Sequence, residues 1–295
     1  MGHNEKITLQ TLAEREEVKI GYSDDDIVVV DSIQKFAEIN AAHIAMNVIM
    51  ICTNGQIEAR MNDLHMSLSK NQVAIVPQNV LVTDIMVSPD FNLKAIFLTN
   101  TILQSLLREK MNLWNNVVYI NHQHIITLND NDLIFYSHYY DMVSIAMELG
   151  KDNPFRTEVL QSLFKAGIIG LLGEMKLLLP HDSMSNESQM PGSHFQKFLS
   201  LLHNSDVKYR SVESYASELC ISPKHLTSIC KKFSDKSASE WIREQVLEDI
   251  RYYLKETDMS IKQVSVRVGF SNSSFFGKYV KEHLGMTPMQ YRNSR

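Results

Sequence analysis

With 295 residues, the chain is too long for one small core and fits two domains. Hydrophobic residues make up 44% and charged residues 21%, as in a soluble globular protein, and no run of eighteen uninterrupted apolar residues occurs that would cross a membrane. The net charge of -5 is unevenly divided: residues 194–295 hold 16 Lys and Arg against 11 Asp and Glu, which leaves 13 against 23 for residues 1–193. That balance argues against a polyanionic partner for the acidic body and leaves one open for the basic C-terminal third.

The N-terminal MGHNEKITLQ is polar and charged, without the apolar core of a secretory signal, so the expected location is cytoplasmic. Residues 27–120 then carry short β-prone runs at regular spacing: IVVV from Ile27, NVIMIC from Asn47, QIEARM from Gln56, VAIVP from Val73, TDIMV from Thr83, KAIFL from Lys94 and NVVYI from Asn116. Such spacing predicts an all-β sandwich or barrel. Ile57, Ala59 and Met61 alternate with Gln56, Glu58 and Arg60, the pattern of one buried and one wet face. His122 and His124 have the spacing of half a metal site, but no carboxylate follows closely, and no metal or other cofactor is expected. Cys52, Cys220 and Cys230 match no paired metal spacing and are expected as buried thiols.

From Asp130 to Pro180 the period becomes helical. Its most apolar part, Val159 to Leu179, contains Lys165, Glu174 and Lys176, each expensive at a bilayer centre, and reads as a buried or dimer-forming helix. Ala166, Gly167, Gly170 and Gly173 are small enough to let a partner's helix approach; packing against the chain's own barrel is the alternative. Pro180 stops this helix, and HDSMSNESQMPGS, residues 181–193, has the composition of a linker.

Beyond the linker, Val212, Tyr215, Ala216 and Leu219 give one helix a single apolar face, with Ser211 as its N-cap. After a short break Ser222 caps a second helix, Pro223 takes its first position, and Leu226, Ile229, Cys230 and Phe233 line one side. Two short helices meeting at a tight turn predict a helix-turn-helix over about residues 211–233. The unit repeats. A shift of 49 residues carries Val212 to Ile261, Leu219 to Val268 and Ser222 to Ser271; a shift of 50 carries Leu226 to Phe276, Cys230 to Val280, Ser237 to Thr287 and Trp241 to Tyr291. A second module is therefore expected over about 260–284, with Ser260 and Ser271 as caps, Gly269 at the turn, and Phe276, Val280 and Leu284 as anchors. The run SASEWIREQVLEDIRYYLKE between the modules reads as one helix.

Residues 194–295 resemble the DNA-binding domain of the AraC/XylS family of transcription regulators. Ser260-Ile261, Val268-Gly269-Phe270, Ser273 to Phe276, Gly285 to Pro288 and Tyr291-Arg292 carry the likeness; Asp235 stands where Gly is usual and Ser228 where Arg is common. The resemblance implies a multi-domain α+β chain: an N-terminal cupin-like β-barrel as effector domain over 1–128, a helical dimerisation region over 129–180, and an all-α domain of two helix-turn-helix modules over 194–295.

Each second helix would enter a major groove of double-stranded DNA, the two grooves being successive and about 34 Å apart. Base contacts are expected from Lys224, His225, Thr227 and Ser228 in the first module and from Asn272, Ser273, Ser274, Gly277 and Lys278 in the second. Phosphate contacts are expected from Lys231, Lys232 and Lys281. The reading is a sequence-specific regulator acting as a homodimer, with a small-molecule effector and RNA polymerase as candidate partners, and with no enzymatic role. Two alternatives stand beside it: a cupin-type metalloenzyme carrying a DNA-binding module, and a barrel that serves only as a dimerisation scaffold. A large, polar-decorated cavity inside the N-terminal domain would favour a sensor and a filled interior a scaffold.

Overall fold

A computed structural model of the chain describes residues 5–13, 18–33, 41–62, 64–150, 153–179, 193–205 and 207–294. The chain forms two compact units, Met1–Leu179 and Pro180–Arg295. The expected linker lies outside the described residues, except for Ser193, which opens a helix.

Two sheets build the first unit. One has five strands in the order β1 (Glu5–Ile7), β4 (Ala41–Ile44), β9 (Val80–Val87), β6 (Gln56–Met61) and β7 (Leu64–Ser69). The other has six: β11 (Ile125–Thr127), β8 (Gln72–Val76), β5 (Asn47–Asn54), β10 (Asn92–Leu98), β3 (Ile27–Ile33) and β2 (Val18–Ser23). All described pairings are antiparallel except β1 with β4. Ile57, Ala59 and Met61 point inward as their alternation requires, and Ala59 and Met61 join Val28, Val48, Val80 and Phe97 in one core between the sheets. The barrel is not closed. Closure would have to pair β1 with β2 or β7 with β11, and β1 and β11 are each three residues long, too short to supply a ladder.

One expected strand is helical. NVVYI forms a π-turn, Asn116–Ile120, that continues α3 (Met111–Asn115); the short helices α1 (Leu9–Ala13) and α2 (Asn100–Leu106) accompany it. Trp114, Val117 and Val118 are all buried, and the turn packs on α5 (Arg156–Leu177). Tertiary burial overrides the β-propensity of its branched residues here. Asn129 and Asp132 form a reciprocal capping box that starts α4 (Asp130–Met147). α4 then packs against α5: a methyl group at Gly167 would come within 2.5 Å of the Tyr139 hydroxyl, which itself donates to the Leu163 carbonyl at 2.7 Å. Gly170 likewise lies beside Tyr136. At Gly167 and Gly170 the small residues admit a helix of the same chain, not of a partner. Among the described residues no helix is long and apolar enough to cross a membrane.

The second unit is all helical: α6 (Ser193–Asn204), α7 (Val212–Glu218), α8 (Pro223–Ser234), α9 (Ala238–Lys255), α10 (Ile261–Val268), α11 (Ser273–Leu284) and α12 (Pro288–Asn293). The pairs α7–α8 and α10–α11 repeat down to their backbone. The turn inside each pair has a left-handed residue, Cys220 at φ 56° and Gly269 at φ 106°, and so does each exit, Asp235 at φ 56° and Gly285 at φ 76°. Cys220 is exposed, contrary to the expectation of a buried thiol, because it takes this turn position; Cys52 and Cys230 are buried.

Between the modules, α9 buries Trp241, Val246, Ile250 and Leu254. The Trp241 indole donates to Ser234 Oγ at 2.8 Å, and Ser234 Oγ to the Cys230 carbonyl at 2.8 Å, so α9 is bonded to the end of α8. A second tie was not visible in the sequence. Residues 207–210, just before the first module, run across to the second: Tyr209 stacks on Phe270 at 3.9 Å, its amide donates to the Val268 carbonyl at 3.3 Å, and Lys208 pairs with Asp249 of α9 at 2.9 Å.

Two outcomes follow from local geometry. A methyl group at Gly269 would lie 2.3 Å from Val207 Cγ1, whereas one at Gly285 meets nothing within 4 Å. Gly269→Ala should cost about 2–4 kcal/mol, from left-handed strain and overlap together, and Gly285→Ala about 1 kcal/mol from strain alone; urea unfolding followed through Trp241 in a Trp114→Phe background measures both. In the first unit, burial, then the neighbouring His122, push His124 down to about 4, and its Nδ1 is buried without a hydrogen-bond partner. The unfolded imidazole takes its proton near 6.5 and the folded one only near 4. Between those values the unfolded chain binds more protons, so the unit loses stability as pH falls through that window. His124→Gln should flatten the fall, read as the melting temperature between pH 7 and pH 5.

Candidate nucleic-acid interface

α8 and α11 meet the same packing problem in the same way. Leu226 and Cys230 are buried in α8, and Phe276 and Val280, fifty residues on, are buried in α11. Thr227 and Gly277 are half-buried in matching places, while Lys224, His225, Ser228, Lys231 and Lys232 in one helix and Ser274, Phe275, Lys278, Lys281 and Glu282 in the other are exposed. With buried positions four apart, the exposed ones three and four apart must share the opposite face. The anchored side fixes how each helix sits, and the outward side is left with hydrogen-bonding and cationic groups.

The helix starts differ from expectation in one detail. Ser222 caps α8, its hydroxyl accepting from the His225 amide at 3.1 Å, and Pro223 follows at the first position. In the second module the cap is Asn272, not Ser271: Asn272 Oδ1 accepts from the Ser274 amide at 2.7 Å and from the Phe275 amide at 3.3 Å. The one-residue insertion between the modules therefore falls before the cap, and Ser222 corresponds to Asn272. With its oxygen engaged, Asn272 has only its amide N–H groups to offer a base. Ser273 occupies the first helical position, where Pro223 stands in the first module.

Gly277 lies inside α11 with open space where a Cβ would stand. A mid-helix Gly costs about 1 kcal/mol relative to Ala, and no internal contact requires it here. Phe275 was missed in the sequence. It is 52% exposed on the outward side of α11, at the place His225 takes in the first module, and the fifty-residue register would have found it. An exposed aromatic in a groove is suited to a thymine methyl.

The cations sort by face. Lys208 is bound to Asp249, Lys236 to Glu244 at 2.7 Å, Arg210 to Glu218, and Arg292 donates to the carbonyls of Leu254 at 3.1 Å and Met259 at 2.6 Å. These hold the unit together. Lys224, Lys231, Lys232, Lys278 and Lys281 are exposed on the outward faces of α8 and α11, so part of the basic excess of the C-terminal third is displayed where a phosphate backbone could be met. Burial pushes the Cys230 thiol up to about 12, which leaves it an inert part of the α8 core.

The rings of His122 and His124 stand 5.9 Å apart and tilted, and among the described residues no group of three or more His, Cys, Asp or Glu side chains could hold an ion.

Comparison with known proteins falls on the same region. Residues 215–294 match the family model of a helix-turn-helix domain. The probable transcription factor PqrA of Proteus vulgaris is 30% identical over 83 residues, covering 28% of this chain and 68% of PqrA. The regulatory protein PocR of Salmonella typhimurium is 27% identical over 117 residues, which is 38% of this chain and 39% of PocR, so the match spans well under half of that relative. The structure of ToxT from Vibrio cholerae O395 aligns over 94% of this chain and 98% of ToxT at 13% identity and a TM-score of 0.34, and the assignment rests instead on the sequence matches. With two in-register modules and a relative matched over two thirds of its length, the chain belongs to the AraC/XylS family of transcription regulators.

Proposed function

We propose that the chain is a sequence-specific regulator that binds double-stranded DNA through α8 and α11, and that its N-terminal unit senses an effector and pairs two copies. The burial pattern shared by the two helices carries this reading, since it leaves the same face free twice. Lys224, His225, Thr227 and Ser228, and Asn272, Ser273, Ser274, Gly277 and Lys278, are the base readers proposed, with Phe275 added. Lys231, Lys232 and Lys281 neutralise phosphates. Rigid coupling through α9 and residues 207–210 suits engagement of two successive grooves, because the second helix is then presented without further ordering cost.

For pairing, the supporting feature is α4. Ile134, Phe135, Met142 and Ile145 are exposed and fall within about 100° of one another around the helix, apart from its buried Val143 and Met147. A homodimer would cover that stripe and present two double readers to one site. RNA polymerase is a further candidate partner for the DNA-bound form.

Selection from a random DNA pool, followed by titration at several salt concentrations, tests the assignment. Lys278→Ala should weaken the selected site by about 1–3 kcal/mol and relax the preference at one base pair. Lys231→Ala and Lys281→Ala should instead weaken all sequences alike, each reducing the salt slope by about 1. An unchanged preferred sequence in Lys278→Ala would remove that residue from the readers.

A further inference from the structure

The space between the two sheets is nearly filled: about 80 Å³ remains, lined only by apolar residues such as Met50, Met66 and Phe97. A larger cavity, of about 430 Å³, lies on the opposite side of the six-stranded sheet, between its outward face and helices α4 and α5. Ile49, Ile51 and Ile96 form its floor, Tyr136 and Tyr140 of α4 and Phe164 of α5 its roof. Ser137 and Asp141, both exposed, stand at its rim. The pocket is partly open to solvent along α4, and its volume falls in the range of small-molecule sites.

One charged side chain rises from the floor. Lys94, on β10, is half-buried, and its ammonium lies 3.1 Å from the centre of the Tyr140 ring. Among the described residues that ammonium makes no hydrogen bond or ion pair. Burial lowers Lys94 below the ordinary lysine range, against the opposing pull of Asp31 and Asp141. Asp31 is already engaged, since it accepts a hydrogen bond from the Tyr140 hydroxyl and faces Lys19 at 3.8 Å. Asp141 is exposed at the rim. A cation partly withdrawn from water and lacking an acceptor is costly, and an anionic ligand group would repair it.

We propose that this cavity between sheet and helices is the effector site, and that it takes a compact, largely apolar organic acid whose carboxylate meets Lys94. The proposal rests on the reading of the chain as an effector-responsive regulator, and it moves the sensing site from the interior of the sandwich to its outer face. The ligand's apolar body would lie against Ile49, Ile51 and Ile96, under the Tyr136 and Phe164 rings. α4 would then have a ligand beneath it and the exposed Ile134, Phe135, Met142 and Ile145 above, so occupancy and self-association would act on the same helix.

The full chain can be titrated with anilinonaphthalene sulfonate, an aromatic monoanion, and the bound probe displaced by aromatic carboxylic acids and by their uncharged amides. One saturable site per chain is expected, with acids displacing the probe about tenfold more readily than amides. Lys94→Met should weaken the probe about tenfold or more, as when one partner of a half-buried charge pair is removed. Ile51→Phe and Ser137→Phe, which fill the cavity from its floor and from its rim, should abolish binding. Equal displacement by acids and amides, or unchanged affinity in Lys94→Met, overturns the anionic assignment. Full probe binding in folded Ser137→Phe, an exposed position that tolerates substitution, overturns the cavity itself even if Ile51→Phe fails to fold. Gel-shift measurements on the same samples keep the two readings apart: loss of all DNA binding counts against the regulator, whereas probe binding does not depend on it.

Discussion

Lys208 and Asp249 meet with side chains only 12% and 7% exposed, and the segment they anchor crosses from the start of one helix-turn-helix module to the core of the other. Removing either partner would leave a lone buried charge, a loss of about 3–5 kcal/mol. Around the pair, Tyr209 stacks on Phe270, and the Tyr215 hydroxyl donates to the Lys208 carbonyl at 3.1 Å. α9 joins the modules in sequence, and this crossing joins them a second time in space. Two attachments fix a relative orientation that a single helix with free ends would only bias. The separation of the outward faces of α8 and α11 is thereby a property of the fold.

The C-terminal unit was legible because one burial problem is solved twice. Leu226 and Cys230 recur as Phe276 and Val280, and no other register aligns both the anchors and the exits Asp235 and Gly285. What escaped was local and aperiodic. Ser271 and Asn272 can both cap, and the choice turns on where the one-residue insertion falls, while Val207 to Arg210 carry no period that would announce a crossing segment. The exposed Phe275 was passed over because aromatic residues in a helix are ordinarily core.

In the N-terminal unit, alternation identified β6 securely, yet NVVYI became a helical turn, since a short apolar run has no period to separate strand from helix. Short strands such as β1 and β11 gave no signal of their own and proved to be the open seams of the sandwich. The small residues of α5 were read correctly as a place of close helix approach, but sequence carries no information on whose helix approaches; Tyr139 supplies the answer. The same uncertainty of side hid the larger cavity. Ile49, Ile51 and Ile96 look in sequence like any core positions, and only the placement of α4 shows that they face away from the sandwich interior.

The four left-handed positions make the two halves of the C-terminal unit energetically unequal. Gly269 and Gly285 adopt their conformations without steric penalty, while Cys220 and Asp235 each carry a Cβ into a region that disfavours it by about 1 kcal/mol or more. That strain is subtracted from the stability of α7 and α8 and not from that of α10 and α11. Amide protons around α7 and α8 should accordingly be the first of this unit to trade with deuterium, and breathing in solution should begin there while α10 and α11 stay shut.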